Sequence, residues 1–319
     1  MKKHTKKKLK NFATAYLLTN WHERLNLKRI LRLRRRIYLA LVALKHVSNW
    51  LSLLLLVLLN RRGVFYSKVE EVIHVEAKLL KFLMRHYYYW GKIGNAFPAV
   101  KFSSNGFIEI PYFGFDLYLP VNSLFLERCI IHPPTAVKRE YDVEVKDCVV
   151  LDVGAYIGDT VLYWLSKKAR KVIAIEPVPE HYNVLMLNSR NKPVVTINTA
   201  VGGRVPALPG YVGSGGYGIN KLKNFNDVQW LTVPVTPLSM LVEKYKPDVV
   251  KIDCEGCEHL CVKDVLRLPK MDVKTLIIEI HDTQNKTKEG LLRSLQEVLG
   301  DGRITSMAGG KITVIWNLS

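Results

Sequence analysis

Three observations predict an α/β fold, with a mostly parallel sheet and helices on both faces. From residue 148 onward, short β-branched runs alternate with stretches of helical period. The first run, Cys148-Val-Val-Leu-Asp-Val153, is apolar enough to be a central parallel strand buried on both faces. It ends in a glycine turn, Gly154-Ala-Tyr-Ile-Gly158, that opens a helix carrying Val161, Leu162 and Leu165 inward. Strand, glycine turn and helix N-terminus together make the ligand site of a doubly wound sheet.

The remaining elements follow from the same periodicities. Strands are expected near 148–153, 171–176, 194–199, 248–253, 274–280 and 311–316, with a weaker one at 303–306. Helices are expected near 158–168, 178–190, 236–245, 256–267 and 286–299. Gly309 and Gly310 separate the last two strands, which can close an antiparallel hairpin at one edge. Upstream, Phe107-Ile-Glu-Ile110 and Phe115-Asp-Leu-Tyr-Leu119 alternate around Pro111-Tyr-Phe-Gly114 and read as another β-hairpin. Over 65–92, Val69, Val72, Ile73, Val75, Leu79, Leu80, Phe82 and Leu83 recur near helical spacing and predict a helix. Tyr87, Tyr88, Tyr89 and Trp90 close it, reading as helix-end packing. Residues 202–230 hold seven glycines and read as a mobile loop, a lid beside the mouth of the sheet.

Charge divides the chain. Residues 1–70 carry 17 Lys/Arg against 2 Glu, a net of +15 out of +19 for all 319 residues. The basic character therefore belongs to the N-terminal region, and a nucleic-acid surface on the sheet domain is disfavoured. Residues 37–59 are strongly apolar but carry Lys45, His46, Ser48 and Asn49 near the middle, against a spanning helix. The apolar run starts too late for a cleaved signal peptide. Three readings stay open: a spanning helix, a basic amphipathic anchor on an anionic membrane, or a helical hairpin in solution. Pro133-Pro134 marks a boundary, giving a basic and apolar extension (1–62), a helix-plus-hairpin lead-in (63–134) and a sheet domain (135–319). Five cysteines, an odd number, suggest no disulfide framework and point to a reducing, cytoplasmic setting. Cys254, Cys257 and Cys261 read as small buried side chains.

The loop chemistry narrows the ligand. Aligned on Gly154, a dinucleotide fingerprint would need glycine where Tyr156 and Asp159 stand, and no Gly-Lys-Ser/Thr follows for a P-loop. Asp152 and Asp159 flank the turn. Carboxylates repel a diphosphate but suit a sulfonium and an ammonium, both of which S-adenosyl-L-methionine carries. Glu176, ending the second strand, can accept both ribose hydroxyls. Asn198, ending the third, is a candidate for the adenine edge.

Four blocks then resemble the signatures of the FkbM-type methyltransferase family, in order over roughly residues 105–317. They are Asp152-Val-Gly-Ala-Tyr-Ile-Gly-Asp-Thr160, Ile175-Glu-Pro-Val-Pro-Glu180, Thr236-Pro-Leu-Ser-Met-Leu241 and Lys251-Ile-Asp-Cys-Glu-Gly-Cys-Glu258. In the third block Leu238 stands where the family has Asp. The resemblance implies a Rossmann-like seven-stranded sheet, S-adenosyl-L-methionine held by Asp152, Gly154, Ala155, Tyr156, Gly158, Asp159, Glu176, Asn198 and Asp253, and O-methylation of a sugar or polyketide-like hydroxyl. A small-molecule, glycan or lipid-linked acceptor follows from that. Asp253 and Glu255 are expected at the methyl-transfer centre. His281, on the face of the fifth strand that also holds Glu279, is the candidate general base. A divalent metal would need a third ligand that the sequence does not show, so none is assigned. RNA methylation tethered by the basic arm, and a non-enzymatic interaction role on the same fold, are the competing functions.

Overall fold

The computed structural model describes residues 63–66, 72–75, parts of 82–102, 106–120, 129–202, 207–213, 216–218, 229–283, 286–308 and 310–318. The extension expected over 1–62 lies outside them. Among the described residues no helix is long and apolar enough to cross a membrane. The chain forms two compact units, Met1–Gly94 and Asn95–Ser319. The residues from 95 to 134, expected to belong to a lead-in, are part of the second unit.

In the first unit, β1 (Gly63–Tyr66) pairs antiparallel with β2 (Val72–Val75), and helical backbone recurs at 82–83, 85–86 and 89–91. The single helix expected over 65–92 is thereby corrected. Val64, Phe65 and Tyr66 face a second run rich in β-branched residues, so ladder hydrogen bonds are open to both, and that pairing overrides a chance helical period. Trp90 is buried.

The second unit opens with β3 (Lys101–Phe102), β4 (Phe107–Tyr112) and β5 (Phe115–Pro120), an antiparallel sheet in which Tyr112 pairs with Phe115 across a two-residue turn. Phe113 and Gly114 both have positive φ, the backbone such a tight hairpin demands. Ile108, Ile110, Leu117 and Leu119 are fully buried. After α1 (Pro134–Glu140) come β6 (Val149–Val153), α2 (Asp159–Ser166), β7 (Lys171–Ile175), α3 (Pro179–Ser189), β8 (Val194–Ile197) and β9 (Ala200–Gly202). Asn188 of α3 pins the hairpin, accepting from the Tyr118 amide at 2.7 Å and donating to its carbonyl at 3.1 Å.

Next are β10 (Ala207–Gly213), β11 (Gly216–Gly218), β12 (Gln229–Pro237), α4 (Leu238–Tyr245), β13 (Val249–Ile252), α5 (Val262–Val265), β14 (Thr275–His281), α6 (Lys288–Leu299), β15 (Arg303–Ala308) and β16 (Lys311–Asn317). Strands β10 to β12 overturn the loop expected over 202–230: with β9 they form a four-stranded sheet ordered β11-β10-β12-β9. Glycine costs a strand side-chain packing but leaves its N–H and C=O free to pair, and β10 pairs with β12 from Ala207 to Val212. The tip at 214–215 and the stretch at 219–228 lie outside the described residues.

The main sheet has seven strands in the order β15-β16-β14-β13-β6-β7-β8. β14, β13, β6, β7 and β8 run parallel; at one edge β16 pairs antiparallel with β14, and β15 pairs antiparallel with β16. Its core is double. Leu151, Ile173, Ile252 and Ile278 pack with Leu241 of α4 and Leu295 of α6. Val150, Val172, Ala174 and Ile277 pack on the opposite side with Val161 and Trp164 of α2 and Leu185 of α3. Pleat alternation puts Asp152, Lys251, Glu279 and His281 on the α2 side, at or near the carboxyl ends of their strands.

Candidate functional site

The glycine turn after β6 is built by close approach. Gly154 has φ of 78°, and a Cβ there would lie 1.8 Å from the Asp253 carbonyl oxygen. The ends of β6 and β13 can meet only because this residue lacks a side chain. Gly158, with φ of 93°, starts α2, and a Cβ there would press on Leu185 at 3.2 Å. The amides of Gly154 and Ala155 donate to the Ile175 carbonyl, tying the turn to the end of β7. Ala155 is fully buried.

Two carboxylates hold this corner together. Asp152 is completely buried; its Oδ2 accepts from the Thr160 hydroxyl at 2.6 Å and the Trp164 indole at 3.0 Å. Its Oδ1 pairs with Lys251 Nζ at 3.0 Å. Thr160 and Trp164 thus hold Oδ2, while Oδ1 has only the ion pair with Lys251, and in this arrangement Asp152 positions the turn. Lys251 also donates to the Gly154 carbonyl at 3.0 Å, so it clamps β6, β13 and the turn at once. Glu176 accepts from the amides of Tyr156 (2.9 Å) and Val178 (2.9 Å), fastening the turn to the start of α3. Tyr156 takes a positive φ, and its ring meets that of His181 edge-on. Asn198 donates to the carbonyls of Glu176 and Pro177, at 2.8 and 3.1 Å, closing the next strand end. Asp159 is buried at the first turn of α2, where burial pushes its carboxyl above the usual range against the pull of His132 and Lys251.

The ends of β13 and β14 differ in character. Asp253, Glu255, Glu258, Glu279 and His281 converge there with Lys251, Lys311 and Tyr141. Tyr141, at the end of α1, donates its hydroxyl to Asp253 Oδ2 (3.1 Å) and lies 3.4 Å from Glu279 Oε2. Lys311, on the antiparallel edge, donates to Glu279 Oε2 at 2.6 Å. Burial alone would raise the Asp253 pKa, but Lys251, Lys311 and His281 outweigh it and hold the group well below the usual carboxylate range. Burial would lower Lys251, yet Asp152 and Asp253 keep it above its ordinary value.

His281 sits between carboxylates on both ring nitrogens. Nδ1 is 3.1 Å from Glu258 Oε1, and Nε2 is 3.2 Å from Glu279 Oε1 and 3.9 Å from Glu255 Oε1. A bare lone pair facing either acid would be repelled, so both nitrogens carry protons. Burial works against that charge, but the bonds to Glu258 and Glu279 prevail and push the pKa up to about 11. With its pKa raised in this way His281 is an imidazolium near neutrality, which speaks against the general-base role expected of it. Glu255 is the open acid, its side chain 45% exposed. Burial of its carboxyl, opposed by His281 and reinforced by Asp253, raises its pKa. Asp253, 25% exposed, also faces the mouth, whereas Glu258, Glu279 and Lys251 are buried.

Ligand atoms of Asp253, Glu279 and His281 lie within 4.8 Å of one another, which supplies the third metal-type donor absent from the sequence reading. Positive charge is already delivered to those same oxygens by Lys251, Lys311 and His281. The donor set is thus spent on protein cations, and no metal is assigned.

The turn after β13 brings a further correction. Cys254 and Cys257, expected to be unpaired buried side chains, form a disulfide with Cα atoms 5.4 Å apart. Cys261 is free and buried. The helix expected over 256–267 is broken accordingly into a 3-10 turn, Cys257–His259, and the short α5. Of the groups absent from the sequence reading, Lys251 had a signal, a lysine inside a β-branched strand. Tyr141 and Lys311 had none, since long-range packing alone brings them in.

Residues 152–300 match the model of the methyltransferase FkbM domain. No curated protein sequence matches the chain. Among solved structures, it is similar to the methyltransferase FkbM of Methylobacillus flagellatus KT, with 18% identity and a TM-score of 0.37; the match covers 53% of this chain and 43% of that one. It is also similar to Aeropyrum pernix fibrillarin, solved with natively bound S-adenosyl-L-methionine, with 12% identity and a TM-score of 0.35, over 68% of this chain and 97% of that one. The stretch that matches the methyltransferase FkbM domain thus lies within the unit from Asn95 to Ser319.

Proposed function

We propose that this unit is an S-adenosyl-L-methionine-dependent methyltransferase acting on a hydroxyl oxygen of a sugar, glycolipid or other small or lipid-linked acceptor. The observation that carries the reading is the acid-rich mouth at the ends of β13 and β14, beside the glycine turn. Around it Asp152, Asp253, Glu255, Glu258 and Glu279 outnumber Lys251, Lys311 and His281, so a site already rich in lysine still favours a cationic ligand. Bound there, the cofactor would supply an electrophilic methyl group on a positive sulfur. Asp253 and Glu255 would face its sulfonium and ammonium. The backbone from Gly154 to Asp159 would follow its length, and Glu176 and Asn198 would border its ribose and adenine. Buried Asp152 and Lys251 fix where that backbone lies.

The proton leaves the acceptor hydroxyl through Glu255 rather than His281. Glu255 is exposed to the mouth and its carboxyl is raised toward the range useful for a general base. His281 keeps Glu279 and Glu255 oriented. In-line positioning of the acceptor oxygen supplies most of the rate. An acceptor embedded in an anionic membrane would suit the basic and apolar residues 1–62.

Calorimetric titration of the full chain with S-adenosylhomocysteine tests the reading, beside Asp253→Asn, which leaves Lys251 paired with Asp152. Micromolar binding, weakened at least about tenfold in the variant, is the expected result. A folded chain that does not bind would remove it. Pelleting with anionic vesicles at low salt tests the acceptor's setting separately, and no partition there counts against a lipid-linked substrate.

A further inference from the structure

We propose that Cys254 and Cys257 form a thiol–disulfide exchange site for a dithiol reductant, and that the state of this pair sets the placement of Glu255 and so the competence of the site. The inference rests on the functional reading above for its consequence, but not for its chemistry.

The cross-link closes a four-residue ring, Cys254-Glu-Gly-Cys257, on the loop that carries the open acid. Within the ring Glu255 has φ of 54° and Gly256 has φ of 117°. Two consecutive left-handed residues are an unfavourable choice for a chain, most of all at Glu255, which has a side chain. Three hydrogen bonds also hold this loop: the Cys257 amide reaches the Cys254 carbonyl at 3.4 Å, the His259 amide reaches the Gly256 carbonyl at 3.3 Å, and the Gly256 amide donates to Glu258 Oε2 at 2.9 Å. The disulfide is the covalent restraint on the loop that places Glu255 Oε1 3.9 Å from His281 Nε2.

The two sulfurs differ in access. Cys254 is partly exposed, and Cys257 is buried at 3% exposure. A reductant thiolate can therefore attack Cys254 Sγ. The Cys254–Cys257 bond breaks, a mixed disulfide forms at Cys254, and Cys257 leaves as a thiolate that takes a proton. The second thiol of the reductant then displaces Cys254. Two electrons and two protons pass to the protein pair, and the dithiol becomes a disulfide.

The product differs from the starting state where it matters. Cys254 Sγ lies 3.4 Å from Glu258 Oε2, so a new thiol there would donate to the oxygen that the Gly256 amide uses. The other oxygen of Glu258 holds His281, by its amide at 2.7 Å and its ring at 3.1 Å. One carboxylate thus joins the cysteine pair to the cationic side chain that faces Glu255 and Glu279. Reduction removes the ring and loads the same carboxylate, and both changes free Glu255.

The test equilibrates the full chain across ratios of reduced to oxidised dithiothreitol. Peptide mass mapping follows the cross-link, and hydrogen exchange follows residues 253–260 and 279–283. S-adenosylhomocysteine affinity is measured at each ratio. The expected result is a cross-link that titrates reversibly, faster exchange in both segments on reduction, and affinity that falls at least about fivefold along the same midpoint. In Cys254→Ser/Cys257→Ser the affinity should stay at the reduced value at every ratio, whereas a response to dithiothreitol through any other group would persist in that variant and overturn the proposal. A cross-link that never forms under oxidising conditions overturns the proposal. So does one that forms and is reduced while exchange in the two segments stays unchanged. If the ligand binds in neither state, the methyltransferase reading fails, and the exchange data alone decide whether the pair moves the loop.

Discussion

The two ends of the parallel sheet each carry an aspartate–lysine pair, and they use it differently. At the amino end, Asp248 meets Lys274 at 2.7 Å and accepts from the Val149 amide at 2.8 Å. Lys274 is 62% exposed. Charge there is matched one to one and shared with water. At the carboxyl end, Asp152 meets Lys251 at 3.0 Å with both side chains out of solvent, and four further acids and two further cations crowd the neighbouring strand ends. Burying so many charges gains little net stability, because desolvation offsets most of the attraction. The amino end shows that this fold can join its strands with one exposed pair, so the crowding at the other end has a purpose other than stability.

If that contrast is right, its largest consequence is at Asp152. Asp152→Ala should leave a buried ammonium without its nearer partner, and two side-chain donors without an acceptor, at a cost of about 3–5 kcal/mol in denaturant unfolding. A cost under about 1 kcal/mol would mean that Lys251 finds water, and that this end of the sheet is less dry than its burial indicates. Next in size is Glu255→Gln. An open acid carrying a proton-transfer role should lose about 10²-fold in turnover, with unfolding stability changed by no more than about 0.5 kcal/mol. A variant with full turnover would move the role to another group, with Asp253 the nearest candidate.

His281 gives a pH signature that separates its two readings. Its folded pKa of about 11 lies above its ordinary 6.5. Its stabilisation is therefore complete below about 6.5 and is lost as pH rises through about 11. Wild-type stability measured between pH 7 and about 10.5 should fall by a component that His281→Gln lacks. The rate profile carries the matching expectation. A histidine base would make kcat/KM rise through about 6.5, whereas an imidazolium that only orients carboxylates leaves no limb there. An observed limb at 6.5 that vanishes in His281→Gln would restore the histidine as base.

Much of the sheet is legible in the sequence because its strands are short, β-branched and bounded by glycine or proline, and because parallel strands are buried on both faces. Ile173, Ile252 and Ile278 announce themselves in that way. Residues 63–66, 72–75, 207–213, 216–218 and 229–234 are not legible for a common reason. Their pairing is antiparallel and their composition is ambiguous, so only the partner strand decides the structure. The candidate site divides similarly. Gly154, Asp253 and Glu255 stand in one short block each and can be named from sequence. What they do depends on distant residues. Asp152 is turned inward by Trp164 and Lys251, and His281 is kept charged by Glu258 and Glu279. The disulfide escapes the sequence reading because an odd cysteine count in a chain of this size argues for free thiols. Only the left-handed backbone at Glu255 and Gly256 brings Cys257 back to Cys254.

The smallest expected effect tests the other half of the comparison. Lys274→Ala removes an exposed ammonium whose partner keeps a second job, since Asp248 still accepts from the Val149 amide. The cost should be about 0.2–1 kcal/mol and should shrink further in high salt. Asp248→Ala removes both bonds and should cost more, about 1 kcal/mol beyond the lysine variant, because a backbone amide at the entry to β6 loses its acceptor. That inequality depends on the amino end being a simple joint, in which the aspartate serves the backbone and the lysine is incidental. Were Lys274→Ala instead to cost as much as Asp152→Ala, exposure would no longer distinguish the two ends. The crowding around Asp253 would then have to be explained by stability after all.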